Sequence, residues 1–146
     1  MGLTKGMAIW GAVVSTIAIV WNIVRDLWID KGRLSVFIEI YKTIPNHANI
    51  NHVVINIVNI GKRPILIKGW GIKKGKQIYI ILPHPENLPK MLKEGEDITE
   101  FTDDLSIIIS NDLTEVFVYD SAGKNWYAKK KNIKQLIKHA KKLGLL

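Results

Sequence analysis

The side chains that most often carry out chemistry are few in this chain, and their spacing groups none of them. The four histidines are His47, His52, His84 and His139. No pair has the spacing that places two imidazoles on one helix or strand face, as a metal site requires. Asp103 and Asp104 are typical of a helix start, where acids cap free amides, and neighbours on a helix point apart. We therefore expect no catalysis, no metal site and no cofactor.

Basic charge is concentrated at the C-terminus. Of 21 lysines and arginines, seven lie in residues 129–146, which contain no acid. Apolar residues recur there at helical spacing, at Ile133, Leu136, Ile137, Ala140 and Leu143. This pattern predicts a basic amphipathic helix over 131–146. The lysines assigned to its charged surface are Lys130, Lys131, Lys134, Lys138, Lys141 and Lys142.

This helix has three possible roles. Beside an anionic cytoplasmic leaflet, each lysine close to the surface would contribute on the order of 1 kcal/mol to membrane binding. Alternatively, the narrow apolar stripe packs back onto the preceding domain and the lysines are solvated. A third possibility is nucleic-acid binding, although the segment lacks the arginines and interleaved aromatics that usually support it.

The segment around which the chain is organised is Met7–Val24, a run of 18 residues without a charge. As a helix it would extend roughly 27 Å, close to the thickness of a bilayer core. We interpret it as a transmembrane helix, with Trp10, Trp21 and Trp28 as interfacial anchors. A cleaved signal peptide is the main alternative, but no pair of small residues follows at the cleavage spacing.

One face of this helix is small and polar. It consists of Gly11, Ser15, Ala18 and Asn22. Small residues let helices approach closely in lipid, and an Asn gains from a partner across the interface, so this face predicts self-association. Alternatively, Asn22 lies near the headgroups and the small residues are incidental.

Lys5 precedes the span, and Arg25, Lys31 and Arg33 follow it. This bias favours a cytoplasmic C-terminal domain over an extracytoplasmic one.

Period-two alternation begins after residue 32 and predicts β-structure. The predicted strands are 34–41, 52–59, 65–72, 77–82, 115–120 and 126–129, with a short apolar stretch at 98–101 and a short helix at 103–111. Three prolines make 82–90 a loop, and Gly69-Trp70-Gly71 predicts a bulge or a tight packing point. Since no helix separates consecutive strands, the pattern favours an antiparallel sandwich.

Three turns carry a resemblance to a known class. They are Asn59–Gly61 before a strand, Leu92–Glu96 midway, and the hairpin Asp120–Lys124. Their order resembles the immunoglobulin-like domains of small, uncharacterised membrane-anchored bacterial and phage proteins. The resemblance covers about residues 34–130 and implies an immunoglobulin-like β-sandwich. It brings no activity with it.

The sequence therefore predicts a mainly β protein in three parts: a transmembrane helix and its flanks (1–30), an antiparallel sandwich (31–130) and a basic amphipathic helix (131–146). We expect a single-pass protein of the cell membrane in contact with lipid. Its domain would be a non-catalytic interaction module for a protein partner or its own copies, with no small-molecule substrate. The alternative is a membrane-tethered binder of nucleic acid or another anionic surface.

Overall fold

A computed structural model of the chain describes residues 2–29, 31–43, 50–84 and 86–146. His47 and most of the predicted loop 44–51 lie outside the described residues. The chain forms two compact units, Met1–Lys31 and Gly32–Leu146. Each has its own organisation, and the two are considered separately below.

The first unit is helical. Helix α1 spans Gly2–Val24 and continues as one π-helical turn, Arg25–Ile29. Its described side chains are exposed, because no other described element of this unit packs against the helix. Of the described helices, one segment, Gly6–Leu27, is long and apolar enough to cross a membrane, with a mean hydropathy of 1.9. A signal sequence has the same length and composition.

The second unit is mainly antiparallel β. Its described strands are β1 (Leu34–Thr43), β2 (Ile50–Asn59), β3 (Ile65–Lys74), β4 (Gln77–Ile81), β5 (Lys90–Leu92), β6 (Asp97–Thr102), β7 (Leu113–Asp120) and β8 (Asn125–Tyr127). One sheet has the order β1-β2-β6. The other has the order β4-β3-β7-β8, with β5 also paired to β3. The two sheets share one hydrophobic core.

The core follows from the alternation in the strands. In the three-stranded sheet, the inward residues come from β1, β2 and β6, and they are Val36, Ile38, Ile40, Val53, Ile55, Ile57 and Ile98. In the other sheet, Ile67, Trp70 and Ile72 of β3 lie beside Val116 and Val118 of β7. Each buried side chain of this size contributes roughly 1.5–3 kcal/mol relative to exposure. The mainly β prediction is confirmed.

The predicted helix 103–111 is wrong in extent. Only α2, Leu105–Ile108, is helical, and Ile109 is already extended. The run of β-branched isoleucines has low helix propensity, and burial of Ile108 and Ile109 in the core fixes the backbone instead. The predicted capping role of the acids is also wrong, because the N-cap residue that precedes α2, Asp104, makes no side-chain capping bond.

The predicted C-terminal helix is present as α3, Lys130–Lys142. Ile133, Leu136 and Ala140 are buried in the common core, and α3 contacts β1 and β7. Of the two packing arrangements expected for the apolar stripe, the structure therefore has the one in which the stripe packs on the sheets. Leu143, assigned to the same stripe, remains 41% exposed.

Candidate interaction surfaces

The described residues considered for chemistry lie on several different elements. His52 Nδ1 pairs with Asp103 Oδ1, the backbone N–H of His84 donates to Glu100 Oε2 at 3.0 Å, and His139 lies exposed on α3. Asp104 accepts a hydrogen bond from Ser106 Oγ at 2.7 Å. In the described ranges, no group of three or more His, Cys, Asp or Glu side chains could hold a metal ion.

The small face of α1 is uncovered within its own unit. Gly11, Ser15, Ala18 and Asn22 are all exposed. Ser15 Oγ donates to the carbonyl of Gly11 at 2.8 Å, so this hydroxyl is already satisfied within the helix. A methyl group added at Gly11 would meet nothing within 4 Å, which leaves room for a second helix.

The predicted tryptophan anchors are described only in part. Trp10 and Trp21 are exposed by 72% and 59%. The side chain of Trp28 lies outside the described part of the chain. Exposed indole rings near the ends of an apolar helix suit the interface between lipid and water.

The lysine face of α3 is fully solvent-facing. Its exposed members are Lys130, Lys131, Lys134, Lys138, Lys141 and Lys142. Among the described residues, the ion pairs His52–Asp103 and Lys73–Glu115 involve none of these lysines, and residues 129–146 contain no acid. Since the apolar stripe of α3 is used by the core, these lysines can act on an anionic surface only as charges, without inserting the helix.

The outer face of the five-stranded sheet carries an apolar row across four strands. Pairing aligns Ile80 with Gly71, Gly71 with Phe117, and Phe117 with Tyr127. Phe117 is only 5% exposed although it lies outside the core, because its ring covers Gly71. A Cβ at Gly71 would lie 2.8 Å from Phe117 Cζ and 2.6 Å from the carbonyl oxygen of Tyr79. Gly71 is therefore required for this close approach.

The predicted irregularity at Gly69-Trp70-Gly71 is confirmed. The pairing of β3 with β7 shifts register between Ile67 and Gly69, as a bulge requires. The Tyr119 ring lies where a Gly69 side chain would project, as the Phe117 ring does at Gly71. Glycine at these two positions lets aromatic rings lie flat on the sheet, and this gives the outer face its apolar surface.

Strand β4 forms the edge of this sheet and is unusually apolar for an edge. Its residues are Gln77, Ile78, Tyr79, Ile80 and Ile81, and none is charged. Ile78 and Ile80 are 63% and 52% exposed, and Leu82 directly after the strand is 92% exposed. The strand pairs with β3 on one side, and no described strand pairs with the other. Such an edge is a template for pairing with another chain.

A second, smaller surface lies on the outer face of the three-stranded sheet. Phe37, Tyr41 and Phe101 are 41%, 53% and 55% exposed. This face also carries polar groups that engage one another: Tyr41 Oη donates to Glu39 Oε2 at 2.7 Å, which, with the carboxylate's charge, raises the pKa of Tyr41. The mixture of aromatic and polar groups resembles the rim of an interface more than its centre.

The β7–β8 hairpin is fixed by the buried carboxylate of Asp120. Its Oδ1 accepts the backbone N–H groups of Ala122 and Lys124, each at 2.9 Å, and its Oδ2 accepts Trp126 Nε1 at 2.9 Å. Burial alone would raise the pKa of Asp120. The hydrogen bonds from Trp126, Lys124 and Ala122, together with the charge of Lys124, outweigh burial, and the pKa is lowered.

No protein-family model matches this chain, and no curated protein matches it.

The sequence predicted the apolar helix α1 and the lysine-rich helix α3, but it did not predict that β4 is an open edge strand. A signal was present, because 77–82 is a strand-like run without a charge. What the sequence lacked was the strand order, which determines whether such a run is central and covered or lies at an open edge.

Proposed function

We propose that this chain is a single-pass membrane protein whose immunoglobulin-like domain is a non-catalytic interaction module. It holds a protein partner, or other copies of the chain, at the membrane. The observation that carries the proposal is the open, uncharged β4 edge beside the apolar outer row Ile80, Gly71, Phe117 and Tyr127. An edge of this kind left unpaired is an aggregation hazard, so a protein that keeps it uses it for binding.

The immunoglobulin-like assignment is supported by strand order. The first, second and sixth strands form one sheet, and the fourth, third, seventh and eighth form the other. This is the order of an A-B-E sheet facing a C′-C-F-G sheet in sandwiches of this class. Trp70 on the third strand is 1% exposed, at the place of the buried tryptophan on strand C.

Two of the turns that carry the resemblance are joined by one side chain. Asn59 Nδ2 donates to the carbonyls of Arg63 and Leu92, at 2.8 and 2.9 Å. The backbone N–H of Asn59 donates to Glu96 at 2.9 Å, and that of Gly95 returns a bond to Asn59 at 2.8 Å. The Asn59–Gly61 and Leu92–Glu96 turns thus depend on each other, which accounts for the pairing of these motifs in one chain.

Membrane anchorage is supported by the length, hydropathy and exposure of Gly6–Leu27. The excess of Lys and Arg after the span supports a cytoplasmic domain, and the exposed lysine face of α3 would then lie in a compartment whose membrane surface is anionic. A reporter active only in the cytoplasm, fused after Leu146, should give signal, and one active only outside should give none. The reverse result would overturn this orientation.

The test of the interaction function is co-isolation from membranes. The full-length tagged chain, solubilised in mild detergent, should retain a polypeptide partner or a second, differently tagged copy. A variant with Ile78→Lys and Ile80→Lys should lose it, because charges at an open edge block strand addition. Thr114→Lys combined with Asn111→Lys, on exposed sites outside β4, adds the same two charges and serves as the control. Equal retention by edge variants and controls would contradict the proposal.

The second candidate function rests on the exposed lysine face of α3, in a segment, 129–146, that contains no acid. Binding to nucleic acid or to another anionic surface would weaken steeply with salt. This function would be favoured if DNA retains the full-length chain, if that retention falls as salt is added, and if it is lost when the six lysines become glutamine. Retention that is unchanged by the substitutions would reject it.

A further inference from the structure

We propose that the β4 edge binds the β4 edge of a second copy, antiparallel, with the two-fold axis at Tyr79. The two five-stranded sheets would then join into one continuous sheet. This inference rests on the proposed interaction function and names the partner: another copy of this chain.

The direction of the backbone groups on β4 follows from its turn. β3 and β4 are joined by the two-residue turn Gly75-Lys76, which places Lys74 opposite Gln77. Residues flanking such a turn exchange both backbone hydrogen bonds, and hydrogen-bonded and non-hydrogen-bonded pairs then alternate. Gln77, Tyr79 and Ile81 therefore bond to β3. The amides and carbonyls of Ile78 and Ile80 point to the open edge.

The sequence of the edge is symmetric about Tyr79. Read in either direction, residues 78–80 are Ile-Tyr-Ile. An antiparallel pair centred on Tyr79 sets Ile78 of each copy opposite Ile80 of the other. Both residues have outward N–H and C=O groups, so the register satisfies all of them, with four hydrogen bonds. It also pairs Gln77 with Ile81, and so uses the full length of the strand.

Charge favours the antiparallel over the parallel arrangement. Lys74 ends β3 and Lys76 lies in the turn just before β4, and no basic residue follows until His84. Parallel strands would place these lysines beside their counterparts, which is unfavourable. In the antiparallel register, Lys76 lies three residues from the axis in each copy. At about 3.4 Å per residue, the two lysines are roughly 20 Å apart, beyond the screening length of about 8–10 Å.

The other described edges carry the protection that β4 lacks. β6 has Asp97 on its outer face and the buried carboxylate of Glu100 pointing inward. β5 and β8 are each only three residues long; β5 begins with Lys90, and β8 leads into α3. β1 carries Glu39 and is contacted by α3. Inward charges, short strands and covering helices are devices by which proteins block edge pairing, and β4 has none over Gln77–Ile81.

Burial of apolar side chains of the outer row adds to the backbone hydrogen bonds in favouring the pairing of two β4 strands. Ile80 ends the row that runs from Tyr127 through Phe117 and Gly71. In the dimer, Ile78 of the second copy continues that row, so two isoleucine pairs become covered on one face. A five-residue ladder is only about 17 Å long, and it buries less surface area than a standard protein–protein interface. The pairing should therefore be weak for free domains. Anchoring both copies in one membrane raises their effective concentration.

Cysteine crosslinking of the full-length chain in membranes tests the register, since the chain has no cysteine of its own. Copies with Tyr79→Cys should form a disulfide with each other, because a non-hydrogen-bonded antiparallel pair has Cα atoms about 4.5 Å apart. Should loss of the Tyr79 ring disturb the hairpin, a second design remains. Copies with Ile78→Cys should crosslink to copies with Ile80→Cys, and neither should crosslink to itself. Tyr127→Cys, at the far end of the outer row, is the control.

Charge exchange provides an independent readout. Lysine at both 78 and 80 should reduce self-association in membranes about tenfold or more, and glutamate at both positions should do the same. Mixing the two variants should restore association, because each introduced lysine lies opposite an introduced glutamate. A chain that had simply unfolded would not be rescued.

Any one of the following results would overturn the inference. If the edge cysteines crosslink no better than Tyr127→Cys, or if the mixed variants are not rescued, copies do not pair through β4. If the same cysteines crosslink instead to a different polypeptide, pairing of copies is wrong while the interaction function stands. Absence of adducts, together with equal co-isolation by edge variants and controls, would contradict both.

Discussion

Replacing Asp120 by asparagine should remove much of the stability of the β7–β8 hairpin. The carboxylate accepts three hydrogen bonds, two on Oδ1 and one on Oδ2. An asparagine can still accept the two backbone N–H groups through its oxygen. Its NH₂ group then faces Trp126 Nε1–H, donor against donor, in a site that is 7% exposed in the native chain.

The magnitude follows from that lost bond. A hydrogen bond to a charged group contributes about 1.5–3 kcal/mol, and leaving a buried donor unmet adds a further penalty of similar size. We expect Asp120→Asn to lower the free energy of unfolding by about 3 kcal/mol. For a domain of this size, the corresponding decrease in Tm is about 10 °C.

The pH dependence has a definite sign. The pKa of Asp120 is lowered in the folded chain, so the unfolded chain takes up its proton first as pH falls. The stabilisation is complete above about pH 4 and is lost as pH falls from there through the lowered folded pKa. Asp120→Asn lacks this titration and should lose less stability than the native chain between pH 6 and pH 3.

The assay is chemical unfolding of the full-length chain in detergent, followed by circular dichroism at several pH values. Asp97→Asn, which removes the same charge from an exposed site, is the control and should change stability by less than about 0.5 kcal/mol. If Asp120→Asn is no more destabilising than Asp97→Asn, or shows the acid dependence of the native chain, the account of this hairpin is wrong.

Three further substitutions test other parts of the structure. Asn59→Ala removes three side-chain hydrogen bonds that join two turns and should cost about 3 kcal/mol in unfolding free energy; a loss under 1 kcal/mol would contradict that role. Gly71→Ala places a methyl group 2.6 Å from the Tyr79 carbonyl and should cost about 1–3 kcal/mol by the same assay, whereas Gly6→Ala, which meets nothing within 4 Å, should cost much less. Replacing Gly11 and Ser15 by leucine should weaken self-association of α1 in a membrane two-hybrid assay, and an unchanged signal would reject the small face as a contact.

The fold was predictable where the apolar residues of a segment follow a single clear period. Alternation in β1 and β2 located both strands, because each has one face in the core and one in solvent. The prediction failed at 103–111, where a polar start resembled a helix cap. The isoleucines that follow are instead held by the core, and Asp103 pairs with His52, a residue 51 positions away. A contact of that kind leaves no local signal.

The candidate sites were predictable only where a segment acts independently of the fold. The α1 face and the α3 lysines could be assigned from helical spacing alone. The β4 edge could not, since 77–82 reads the same whether the strand is central or at the margin. Likewise, the sequence left open whether Ile133 and Leu136 meet lipid or the sheets, because a stripe shows amphipathicity and not its partner.

The central claim is that the β4 edge of a membrane-anchored chain binds a polypeptide. Its most direct test is a photoactivatable side chain placed at Ile78 of the full-length protein and irradiated in intact membranes, with the same group at Thr114 as the reference. The account predicts a polypeptide adduct from position 78 that is absent from position 114 and that sediments with membranes. No adduct at 78, or an equal adduct at both positions, would contradict it.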